Sequence, residues 1–316
     1  MNKRLSSDYL YNYKWDYNSV KATVQYGFRH NGWEEEIPLT NSLQINFIVC
    51  FCDIMWKDNK VHMSWYGKNI FVMKKEWAKK NGITPLTYIH KDTPFFNNDQ
   101  WLARKWLNRI IRGQTSVQQQ LINVPSLASP QDFVLALEYA EQEINNQKID
   151  KQFIINHGKD VVWHQNFITN LVAYLKTNKN SGSLFPLLNI LFEELERRDS
   201  FLRIYDGMFN HPVAKRNEYK ILYEEREWRS MKLAQKLSDI QYYPDGRMYL
   251  GSNYNLSFND DDVEYIVLEH HKDCEDLINL IKTGNTLLTE KSLNKIKLLC
   301  KMKKILSRRM ATGEVF

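Results

Sequence analysis

The chain lacks the common signatures of catalysis: it has no G-x-x-x-x-G-K-[ST] phosphate loop, no G-x-G-x-x-G turn, no G-x-S-x-G elbow and no H-E-x-x-H pair. Enzyme classes that depend on such a backbone cradle, strained nucleophile or metal-binding helix lose support. Cysteine is scarce, with four in 316 residues. Cys50 and Cys52 form neither a disulfide framework nor a paired C-x-x-C zinc site, so the expectation is a reducing, cytoplasmic setting. His270, His271, Cys274, Glu275 and Asp276 fit no zinc spacing, and no metal is expected. Nowhere do ~18 uninterrupted apolar residues occur, and the polar start MNKRLSSDYLYNYKWDY has no apolar signal region, so neither membrane spanning nor export is expected.

What the chain does have is a globular balance of 43% hydrophobic and 25% charged residues, enough for a sizeable core. Its aromatic share of 13% leans toward sheets and binding surfaces. The net charge of +6 permits contact with a polyanion without requiring it.

Short helical and strand patterns alternate over the first ninety residues. Asp16 is placed to cap a helix through NSVKATVQYG that stops near Gly27. INFIVCFCDI (45–54), NIFVM (69–73) and PLTYI (85–89) read as strands. From about 97 to 217 the pattern turns to longer helices joined by polar connectors such as NKNSGS. EWRSMKLAQKLSDI reads as passing into a short helix, IQYYPDGRMYLGSNYNLSF as a hairpin, and VEYIVLE as a strand followed by the helix DCEDLINLIKTG. The end, LTEKSLNKIKLLCKMKKILSRRM, reads as one basic amphipathic helix able to dock on a partner or steer nucleic acid. The expected fold class is therefore α+β. Segments 1–95 and 219–286 form one split mixed sheet around an all-helical insertion, 96–218, and a basic helix follows over 287–316.

Two clusters carry candidate chemistry. In YEEREWRS (223–230), an extended backbone puts Glu225, Glu227 and Arg229 on one side and Glu224, Arg226 and Trp228 on the other. Two carboxylates beside a guanidinium can tune an acid and hold a hydroxyl-rich substrate, or can be a solvated edge laced with ion pairs. In VHMSWYGKNIFVM, Tyr66 and Gly67 close a short helix directly before a strand, where a flat ligand could stack or where ring and glycine merely complete the core.

Six separated pieces together resemble the AbiGi family of abortive phage resistance proteins: LYNYKWDYNSVKATVQYGFRH, EEIPLTN, FIVCFCDI, H-x-x-x-YGKNIFVMKKEWAKKNGITPLTYI, YEEREWR and LSFNDDDVEYIVLE. The likeness runs over roughly residues 8–90 and 220–270, with the helical block outside it. It implies an antitoxin-like role beside a nucleotidyltransferase-like partner in a two-gene anti-phage system, with a toxin or phage component as the bound partner. A more distant resemblance to the ADP-ribosyltransferase-like superfamily implies transfer of ADP-ribose from NAD, as substrate, to a macromolecule. In that reading Glu227, or Glu225, offsets the charge developing on the ribose. Tyr66 stacks on nicotinamide beside Gly67, Asn12 bonds the ribose, and Arg229 fixes the glutamate or a phosphate. Where relatives read L-x-H-[FY]-T, this chain reads Leu10-Tyr11-Asn12-Tyr13-Lys14. Asparagine can still hydrogen-bond a hydroxyl but cannot transfer a proton near neutral pH.

Overall fold

The structure, a computed structural model, describes residues 7–37, 42–90, 201–234 and 237–304, and its elements are numbered among these. Most of the expected helical block lies outside them. β1 (Tyr9–Lys14) leads into α1 (Tyr17–Tyr26), whose Asp16 cap accepts a hydrogen bond from the Ser19 amide and whose end falls at Gly27, φ 86°. β2 (Asn31–Ile37) and the eleven-residue β3 (Ser42–Cys52) follow, then α2 (Asn59–Tyr66), β4 (Asn69–Lys74) and α3 (Lys75–Lys80). The PLTYI segment divides into β5 (Thr84–Pro85) and β6 (Thr87–Ile89), because Leu86 turns inward and its amide donates to the Glu227 carbonyl.

The helical reading fails at its far end. Residues 202–221 form β7 (Leu202–Ile204), β8 (Asp206–Asn210) and β9 (Asn217–Ile221). β7 is parallel to β6, and β8 pairs antiparallel with β9. β10 (Glu227–Lys232) extends the strand geometry past Arg229, into residues read as passing into a short helix, because pairing with β3 overrides their local helical preference. β11 (Ile240–Tyr242) and β12 (Met248–Leu250) make the expected hairpin; β13 (Val263–Leu268) and α4 (His271–Lys282) match their patterns.

The basic tail is not one helix. Thr289 caps a 3-10 turn over Glu290–Lys295, β14 (Ile296–Leu298) then adds a parallel strand to β13, and helical geometry begins only at residue 299. Its apolar residues divide between the two faces: Leu293 and Ile296 pack on the side of α1, α3 and α4, and Leu299 and Met302 on the other.

Strands from both sides of residues 91–200 build a single ten-stranded sheet in the order β11-β12-β2-β3-β1-β4-β13-β14, with β10 beside β3 and β5 beside β10. β3 is its hub. Residues 42–48 pair with β2, residues 47–52 with β10, and Cys52 with Tyr11 of β1. One sheet face packs against α1, α3 and α4 through Leu10, Phe51, Phe71, Val24, Trp77 and Leu277. Phe28 fills its centre, with Phe51, Phe71, Phe258 and Trp77 centroids 5.2–5.6 Å away. The opposite face carries Tyr11, Cys52, Ile70 and Val72 under Met63 of α2 and under Leu299 and Met302.

Candidate functional site

The register decides which side chains can meet. Cys50 lies opposite Arg229 and Cys52 opposite Glu227, while Cys52 also pairs with Tyr11 and Asn46 with Trp33. Paired residues in antiparallel strands share a face, so Trp33, Glu35, Asn46, Glu227 and Arg229 all project to the side away from α1, α3 and α4. Asn12 projects to the other side, with Leu10. Its Nδ2 donates to the Cys50 carbonyl at 2.8 Å, and among the described residues its buried Oδ1 has no hydrogen-bond partner. The sheet therefore separates Asn12 from the other residues grouped with it by sequence.

The backbone before β10 is not extended. Residues 222–225 make a 3-10 turn and Arg226 takes a left-handed conformation, φ 43° and ψ 53°. The inward set nevertheless matches the alternation reading: Glu225, Glu227 and Arg229 are buried, Glu224 is exposed, and Arg226 and Trp228 are half-buried. The turn and the left-handed residue aim Glu225 inward where an extended chain would have done so by pleat alone.

Arg229 is wholly buried, with 0% exposure. Its Nη1 and Nη2 donate to the two oxygens of Glu35 at 2.7 and 3.0 Å, and its Nε and Nη2 donate to Glu227 Oε1 at 3.0 and 2.8 Å. Arg203 of β7 adds a 3.2 Å contact to Glu35 and a 3.7 Å ion pair to Glu227. Asn46 donates to Glu35 at 2.9 Å. Burial alone would raise the Glu35 pKa, but Arg229, Arg203 and the Asn46 hydrogen bond bring it down to about 2. Burial works against the Arg229 charge and its two carboxylates outweigh it, leaving its pKa above the ordinary arginine value.

A second polar group adjoins the first through Glu225. Tyr66 at the end of α2 donates its hydroxyl to Glu225, and Lys220 ion-pairs with Glu225 and donates to the Tyr66 oxygen at 2.7 Å. The Lys220 ammonium sits 4.2 Å from the Trp65 ring centroid and 4.4 Å from that of Tyr66. Burial first, and then the Glu225 charge, hold the Tyr66 phenol well above its usual pKa, so it remains a donor. Gly67, φ 102°, ends α2 where an added Cβ would lie 2.3 Å from the Lys14 carbonyl oxygen. Its close approach is thus to the chain's own backbone.

The structure brings Tyr66 to Glu225 and Glu227 to Arg229, and places Gly67 and Asn12 in structural contacts elsewhere. Sequence reasoning did not single out Glu35, Arg203 or Lys220. Glu35 had a signal: the strand alternation of GWEEEI sets it on the opposite face from its two glutamate neighbours. Arg203 and Lys220 had none: Arg203 fell inside the expected helical insertion, and Lys220 at the start of the second core segment carried no motif. Cys50 and Cys52 are pushed well above the ordinary thiol range, by burial and then by neighbouring glutamates, which leaves them as protonated packing groups. Among the described residues, no group of His, Cys, Asp and Glu is arranged to hold a metal ion, and no helix is long and apolar enough to cross a membrane.

Fold and site define an α+β protein whose sheet is tied together by a buried network of three carboxylates and three cations. Residues 33–161, about two fifths of the chain, match the family described as "Putative abortive phage resistance protein AbiGi, antitoxin". The matched span runs into the helical block that the sequence likeness left aside, and it stops before YEEREWR. No curated protein and no solved structure matches the chain.

Proposed function

We propose that the chain serves abortive phage resistance as an antitoxin, holding a toxin through its surface without turning over a substrate. The observation that carries this reading is the engagement of Glu227: Arg229 and Arg203 hold it inside a buried network, so it acts as an internal tie between strands. The family description points the same way. The test is growth rescue, with the toxin encoded alongside induced with and without this chain. Tyr66→Phe and any Glu227→Gln protein that remains folded should still neutralise it and co-purify with it. Loss of neutralisation by folded Tyr66→Phe would count against the reading.

One observation favours a second reading, ADP-ribose transfer from NAD. Tyr66 and Glu225, far apart in sequence, meet in space. In that chemistry a target nucleophile bonds to the ribose C1′ as the bond to the nicotinamide nitrogen breaks, and a carboxylate accepts the nucleophile's proton. Glu225 or Glu227 would have to exchange its present partners for substrate. Incubating the wild-type chain with labelled NAD, lysate and nucleic acid tests it, and release of no nicotinamide under any condition rejects it.

A further inference from the structure

At the β11 end of the sheet, on the face that also carries the buried network, a row of side chains crosses three strands. Gln241 of β11 lies opposite Tyr249 of β12, and Tyr249 lies opposite Asn31 of β2. Trp33, two residues along β2, shares that face and is 56% exposed. Arg29 lies over this row, its guanidinium carbon 4.4 Å from the Tyr249 centroid and 5.6 Å from that of Tyr243. The Tyr243 and Tyr249 rings are 4.5 Å apart, and Tyr243 accepts a 3.1 Å hydrogen bond from Arg29 while donating one of 3.0 Å to Asn31.

Arg29 is the unusual member. Among the described residues no carboxylate pairs with it; two rings and a phenol hold its guanidinium in place. Arg247, its guanidinium carbon 5.3 Å from the Tyr243 centroid, is already neutralised by Asp245 at 2.7 Å. A stacked arginine keeps its planar fork ready for an anion, and its immobilisation is largely complete before binding. The proportions of the ledge suit a nucleotide: one uncompensated cation for a phosphate, an exposed indole for a base, and Asn31, Gln241 and the Tyr243 hydroxyl for a sugar. An acidic peptide would call for several unpaired cations in place of rings.

We infer that this ledge, formed by Arg29, Trp33, Gln241, Tyr243 and Tyr249, is a docking site for single-stranded RNA. A base stacks on Trp33, a phosphate meets Arg29, and a ribose 2′-hydroxyl bonds to the polar groups of the row. The inference stands apart from the antitoxin reading and from the basic tail.

The test is fluorescence anisotropy of a labelled single-stranded RNA of mixed sequence and a DNA of the same sequence, with the full chain at roughly 0.1 M salt. Trp33→Ala and Arg29→Lys should each weaken RNA binding by roughly 5- to 100-fold, the range that stacking losses produce. Neutralising Lys301, Lys303 and Lys304 to Gln should leave the affinity within about threefold, and DNA should bind more weakly than RNA. Thermal melts should match the wild type for Trp33→Ala, whose side chain is mostly exposed. Absence of RNA binding, equal affinity for wild type and both ledge variants, loss confined to the lysine variant, or equal affinity for RNA and DNA would each overturn the assignment.

Discussion

At the scale of the residue, the account turns on Arg229. A guanidinium with no exposed surface is tolerable only because Glu35 and Glu227 surround it with geometry that satisfies its donors. Arg229→Met should therefore leave two buried carboxylates short of a partner and cost about 3–5 kcal/mol, read as a lower urea midpoint. Adding Glu35→Gln should restore part of the loss, as expected for coupled groups. Histidine protonation sets the acid limit. Burial, the larger cause for both, lowers the His30 and His62 pKa values to about 4 from the ordinary 6.5. Each is neutral in the folded chain while the unfolded chain takes up protons first, so stability is full above pH 6.5 and falls as the pH drops toward 4. Glu35, held at about 2 against an ordinary 4.5, adds a further loss from pH 4.5 downward. Melting temperatures measured from pH 8 to 3 should fall across both windows. His62→Phe, which removes one of the two buried titrating rings, should flatten the upper one.

At the scale of the element, the tight approach of α2 to β1 depends on a residue without a side chain. Gly67→Ala would combine a φ of 102° with a Cβ 2.3 Å from the Lys14 oxygen, and backbone atoms on both sides cannot yield as a flexible side chain would. It should destabilise the protein by more than ~1 kcal/mol, again seen as a lower denaturant midpoint, and disturb Tyr66 next to it. Elements with local signals were legible. The Asp16 cap, the Gly27 and Gly67 stops and the β-branched run of β3 all declare themselves within a few residues. Elements fixed by distant pairing were not. The far end of β10, read as passing into a helix, stays a strand because β3 lies beside it, and β14 interrupts a helical pattern because β13 offers a parallel edge. β7 and β8 fall inside the stretch read as helical, and it is pairing with β6 and β9 that makes them strands.

At the scale of the whole molecule, the network joins strands that sequence separates widely: Glu35 on β2, Arg203 on β7, and Glu227 and Arg229 on β10. It spans both sides of residues 91–200 and binds the chain's two ends into one sheet. The sequence displayed half of this site, the inward trio of YEEREWR and the Tyr66-Gly67 turn. It concealed the partners, because charge pairing across a sheet leaves no local periodicity. Asn12 was grouped with the trio by resemblance, and strand parity put it on the opposite face.

The central claim is that these buried carboxylates act as structural ties. Comparing Glu227→Gln with wild type in one preparation tests it most directly, with urea unfolding and nicotinamide release from labelled NAD both recorded. The account predicts a stability loss of about 3 kcal/mol or more and no nicotinamide release from either protein. Unchanged stability, together with NAD turnover that the wild type performs and the variant has lost, would contradict it.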